Sequence, residues 1–168
     1  MRPIELLLAE FDREHGVTRT LLERLPEDRA PWKPHPKSMS LGDLALHLAQ
    51  LPVWVSLTLQ QPELDMNPPG GTPWPKRAWT SRDALLASFD TNVAAARVVL
   101  SAASDAELQA PWTMKNGGHT LFTMPKAGVL RTFVFNHSVH HRGQLSVYLR
   151  LCDVPVPPMF GPTADAPF

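Results

Sequence analysis

Two histidines four residues apart, His137 and His141, stand in the last long apolar segment of the chain, within Asn136-His137-Ser138-Val139-His140-His141-Arg142-Gly143-Gln144. On an α-helix such positions differ by about 40° around the axis and about 6 Å along it, so both imidazoles can reach one ion. A third imidazole, His47, lies on a separate amphipathic segment. Three imidazoles leave a divalent ion with an open coordination position, the arrangement of catalytic rather than structural sites. Burying two unpaired polar rings on an inward helix face would cost about 1–3 kcal/mol each, and a shared ion removes that cost. A hydrogen-bonded histidine pair in the core is the competing reading.

The remaining chemistry-bearing residues are ranked by where they fall. His15 replaces an apolar residue on the first helical stripe, which makes it the rival third ligand, a hydrogen-bond donor behind the ligands, or a core histidine. His140 lies about 100° around the helix from His141 and flanks the site. His119, beside Gly117 and Gly118 in a loop, faces solvent, and His35, between two prolines, belongs to the surface. Gln144 and Tyr148 continue the inward face beyond the two histidines. They are the candidate catalytic residues, placed to hydrogen-bond a bound water or substrate, with ordinary polar packing as the alternative. Cys152 has no activating partner at a readable spacing and reads as a small buried hydrophobe. Gly-rich phosphate loops, nucleophile elbows and the HExxH pattern do not occur in the sequence, which removes support for phosphoryl transfer and serine hydrolysis.

Four segments of helical periodicity must carry these side chains, at about 3–25, 41–60, 81–103 and 125–151. Pro3 opens the first and Pro26 stops it. Ser40 with Asp43, and Thr80 with Asp83, supply capping boxes for the second and third. The fourth puts Leu130, Val134, His137, His141, Leu145 and Tyr148 on one face. Burying four such stripes together predicts an all-α fold, an up-down four-helix bundle. Pro52 should bend the second helix one turn beyond His47 and widen the pocket. Residues 112–122, around Lys115-Asn116-Gly117-Gly118, read as a small hairpin or ordered loop of minor strand content. Pro-rich loops holding Trp32 and Trp74 should pack over the bundle ends, and the tail 152–168 should lie extended across the bundle.

The chain of 168 residues suits one domain spanning 1–168. Sixteen basic and 16 acidic side chains balance without a basic run, so nucleic acid is not an expected partner. A single cysteine and an N-terminus without a signal-peptide layout point to the cytoplasm. No stretch approaches about 18 uninterrupted apolar residues, so no membrane span is expected.

His47 in a second helix, then Asn136-His137-Ser138-Val139-His140-His141-Arg142-Gly143-Gln144-Leu145, then Val154-Pro155-Val156-Pro157 and Phe160-Gly161-Pro162, resembles the DinB-like, damage-inducible family of metal-binding helical bundles. The resemblance covers nearly the whole chain. It implies a four-helix bundle whose divalent ion is held by His47, His137 and His141, and it implies homodimers. It further implies a small-molecule substrate, with a low-molecular-weight thiol as the partner in relatives that act as thiol-dependent transferases, while other relatives are hydrolases. Imidazole ligands suit several ions, with zinc or nickel first and iron or manganese as alternatives. The contrasting expectation is a non-catalytic bundle whose metal only stabilises the fold or a dimer.

Overall fold

The computed structural model describes residues 2–72 and 77–167. Helix α1 (Pro3–Leu22) starts on proline, whose missing N–H is no loss in a first helical turn, and the Glu5 carboxylate accepts from the Arg2 amide at 2.9 Å. Its inward face buries Ile4, Leu7, Phe11, Glu14, His15, Thr18, Leu21 and Leu22. Helix α2 (Leu41–Gln50) is capped by Ser40, whose hydroxyl accepts from the Asp43 amide at 3.1 Å. It buries Leu41, Leu44, Ala45 and Leu48, each leucine stabilising the fold by about 1.5–3 kcal/mol. The long helix expected over 41–60 is divided, because Pro52 cannot donate to the preceding turn; α3 (Val53–Gln60) continues beyond it.

Helix α4 (Arg82–Ala102) takes its cap from Ser81, which accepts from Ala84 at 3.1 Å, one residue later than the expected Thr80 box. Among the described residues it is the one helix long and apolar enough to cross a membrane by length and composition, with 22 % of that stretch buried. Its charges nonetheless tie it along α1, Asp90 to Arg19 at 2.8 Å and Arg97 to Asp12 at 2.9 Å. A short helix α5 (Asp105–Gln109) follows, its start capped by the Ser104 hydroxyl, which accepts from the Glu107 amide at 3.1 Å.

The expectation of an all-α four-helix bundle is overturned here. Strands β1 (Glu63–Asp65), β2 (Pro111–Asn116) and β3 (His119–Pro125) form a mixed sheet in that order, β1 parallel to β2 and β2 antiparallel to β3. Gly117 and Gly118 make the hairpin turn at φ of 61° and 80°, a region open to glycine and costly for other residues. The Asp65 carboxylate clamps that turn, accepting from Gly117 at 3.0 Å and Gly118 at 2.7 Å. Trp112, Met114 and Val129 bury the inner side of the hairpin against the helices.

The last expected helix, 125–151, is also composite. It comprises α6 (Lys126–Leu130), a π-helical segment (Arg131–Asn136) and α7 (His137–Leu151). Single π turns inside helices recur at functional sites. The buried Lys126 ammonium donates to the Leu59 carbonyl at 2.7 Å and so pins the start of α6 to the end of α3.

The tail hooks back rather than lying extended. Val156 enters the core, its amide donates to Asp165 at 2.8 Å, and the Thr163 hydroxyl donates to the Val156 carbonyl at 2.7 Å. Trp32 packs edge-on against Tyr148 at 5.6 Å, as its loop predicts. The expected burial of Trp74 falls at 73–76, outside the described residues.

Candidate metal centre

Because α2 presents His47 on the side of the buried Leu44, one turn earlier, its ring reaches across to the two histidines at the start of α7. The Nε2 atoms of His47 and His137 are 3.2 Å apart. The ring centroids of His47 and His141 are separated by 4.5 Å, and those of His137 and His141 by 4.6 Å. One ligand nitrogen from each of the three lies within 4.8 Å of the others. Tetrahedral ligation at the usual zinc–nitrogen length places such nitrogens about 3.3 Å apart, so the His47–His137 spacing already fits an ion and the third ring needs only a small adjustment.

The electrostatics favour the same use. Burial, then the neighbouring His141 and His137 rings, depress the His47 pKa from 6.5 to about 4. Burial and the adjacent imidazoles also lower His137, and burial and His140 lower His141. All three rings are therefore neutral at pH 7, with lone pairs free for a cation. His141 is further fixed by Gln144, whose side-chain oxygen lies 2.7 Å from Nδ1. With that nitrogen carrying the proton, Nε2 is the one left to coordinate.

The other candidates are distributed away from this cluster. His15 is buried at 2 % exposure within the α1 face, its Nδ1 donating to the Phe11 carbonyl at 2.8 Å and its ring 3.9 Å from that of Phe11. It does not join the trio. His140 is exposed beside His141, ring centroids 4.8 Å apart, on the rim as its helical angle requires. His119 opens β3 opposite Asn116 and is exposed, and His35 is an exposed loop residue accepting from the Lys37 amide at 3.2 Å. Tyr148 packs on Trp32, with its hydroxyl 3.4 Å from the Met39 carbonyl, while Gln144 serves His141. Cys152 is partly buried against the apolar core.

Two features were invisible in the sequence. Arg142, 1 % exposed, turns away from the histidines toward α1, where it donates to the Glu14 carbonyl at 2.7 Å and pairs with the Glu14 carboxylate, itself 4 % exposed. No spacing rule links residues 128 apart. The second is an aromatic run, Trp54 stacked on Phe133 at 5.6 Å and Phe133 on Phe122 at 5.4 Å, drawn from α3, the π segment and β3.

Comparisons with known proteins agree with this architecture. The family model of the DinB superfamily matches residues 10–145. The crystal structure of a DinB-like protein from Bacillus cereus superposes with a TM-score of 0.70 at 25 % identity, covering 91 % of this chain and 95 % of that one. A DinB-like protein from Bacillus subtilis gives a TM-score of 0.69 at 19 % identity over 92 % and 97 % of the two chains, a likeness of fold alone. No curated protein matches the sequence. Fold, three-histidine cluster and family model converge, and the chain belongs to the DinB superfamily.

Proposed function

We propose that the protein is a divalent-metal-dependent enzyme acting on a small molecule, with His47, His137 and His141 as the ligands. The observation that carries this reading is the convergence of three neutral imidazoles, without a fourth histidine, cysteine or carboxylate in the cluster among the described residues. A site closed by four protein ligands would serve structure, whereas three leave room for a reactant. When bound there, a divalent ion supplies Lewis acidity that brings the pKa of a coordinated water or thiol toward neutrality.

The chain's own residues do the rest. Burial holds the rings unprotonated, Gln144 sets the His141 tautomer, and α2 and α7 keep the trio at one end of a shared seam. Group transfer to a low-molecular-weight thiol is the leading reaction class, by resemblance to thiol-dependent relatives, and hydrolysis uses the same site with water in place of the thiol. Zinc or nickel is the expected ion, and a homodimer the expected assembly.

Elemental analysis of the purified wild type and of the His47→Ala, His137→Ala and His141→Ala variants tests the site. Each substitution should abolish stoichiometric zinc or nickel. Thiol consumption across a panel of electrophiles tests the chemistry: turnover in the wild type that vanishes in the folded His137→Ala variant supports catalysis. A metal-replete protein that consumes no thiol and hydrolyses nothing in the panel contradicts it.

A further inference from the structure

The metal cluster and the aromatic run occupy one inter-helical seam. His47 meets His137 across it, and seven residues beyond His47 on the bent α2–α3 path, Trp54 meets Phe133, which precedes His137 by four. The ring pairings themselves, His47 with His137 at 4.9 Å and Trp54 with Phe133 at 5.6 Å between centroids, show that the two stretches of chain meet at both points despite the Pro52 break and the π segment. The first pair joins α2 to α7, and the second joins α3 to the π segment, the elements next in line on either side.

The aromatic rung differs from ordinary core. Trp112, behind it, is fully buried, whereas Trp54, Phe122 and Phe133 each keep part of their surface exposed. Phe122 stacks on Phe133 with an interplanar angle of 5°, and Phe133 on Trp54 with 16°. Three near-parallel rings therefore form one stack, reached four residues before His137 at Phe133 and seven residues after His47 at Trp54. A molecule ligated at the open position has to extend its remaining atoms out of the trio, and along the seam it meets this apolar, quadrupolar surface.

We propose that Trp54, Phe122 and Phe133 form the specificity wall of the site, selecting substrates that carry an aromatic or other flat apolar group next to the metal-binding group. The inference rests on the metal-site reading above. It also gives the sheet a role, since β3 supplies the outermost ring.

Two hydroxamates that share a metal-binding group but differ in their substituent test the wall on zinc-loaded protein. Isothermal titration should show benzohydroxamate binding about tenfold more tightly than acetohydroxamate, the scale of one aromatic contact. In Phe122→Leu, which keeps an apolar side chain so that the hairpin stays packed, the ratio should fall to about threefold or less. Acetohydroxamate binding without any preference for the benzoyl compound in the wild type overturns the wall and leaves the metal site standing. A wild-type preference unchanged by Phe122→Leu and by Trp54→Leu likewise overturns it. Failure of both compounds to bind zinc-loaded protein overturns the metal-site reading itself.

Discussion

Helix α7 carries two buried polar clusters on adjacent residues, and they are built on opposite plans. His141 turns toward α2 and joins His47 and His137, one ligand nitrogen from each lying within 4.8 Å of the others. Arg142, the next residue, turns toward α1 and closes a charge pair with Glu14, while Phe160 of the tail lies 5.2 Å above its guanidinium. The first cluster is neutral, part-exposed and made only of groups that want a cation. The second is charged, sealed and largely supplied with its own partners. Buried polarity that satisfies itself locks a helix in place; buried polarity that aims at a common point is a site.

Removing half of the closed pair should produce the largest effect. Glu14→Gln leaves a guanidinium buried without its counter-charge, and the metal-free protein should lose about 3–5 kcal/mol, a melting-temperature drop of roughly 6–20 °C. Its metal content should stay at the wild-type level. A loss below about 1 kcal/mol would erase the distinction between the clusters.

Acid should strike the closed region next. Burial, the largest cause, with Arg142 adding repulsion, holds His15 near a pKa of about 4, against 6.5 when unfolded. The unfolded chain therefore binds more protons between those values, so stability is full above about pH 6.5 and falls as pH drops toward 4, by about 3 kcal/mol in all. Urea titrations of metal-free protein across that window should show the decline, and His15→Leu should reduce it while leaving the part contributed by His47, whose pKa is also depressed to about 4.

The open cluster should respond to metal rather than to mutation alone. At free zinc a hundredfold above Kd the wild type should gain about 2.7 kcal/mol, and His137→Ala should gain nothing while matching the metal-free wild type within about 1 kcal/mol. The smallest effect is expected from Gln144→Ala, on an exposed residue whose role is to orient His141. Zinc affinity should fall about 10- to 100-fold with thermal stability unchanged, measured by competition with a chromophoric chelator. Equal losses of stability in Glu14→Gln and His137→Ala would show that both clusters are structural.

The helix starts at Pro3 and Ser40 and the His137–His141 pair were legible because their signals are local: a proline suited to a first turn, a capping serine, and two histidines at a helical interval on an apolar face. The sheet was not. β1 is three residues, Glu63-Leu64-Asp65, too short to alternate, and its partner β2 lies some fifty residues on. The hairpin turn was readable from Gly117-Gly118, but its pairing with β1 depends on Asp65, whose carboxylate reaches the turn only in three dimensions. The π segment left no trace either, because Arg131-Thr132-Phe133-Val134-Phe135-Asn136 has an ordinary helical composition. Glu14 and Arg142, 128 positions apart, carry no sequence signal of the pairing that the fold makes between them.

That widened turn before His137 makes this stretch intolerant of length changes in a particular way. Excising one residue from 131–136 would let the backbone relax into regular α-helix, so the chain would still fold locally and conserve its hydrogen bonds. Everything upstream would then swivel by about 100° relative to the imidazoles. Phe133 would leave its stack, and a helix repaired in geometry would be spoiled in alignment.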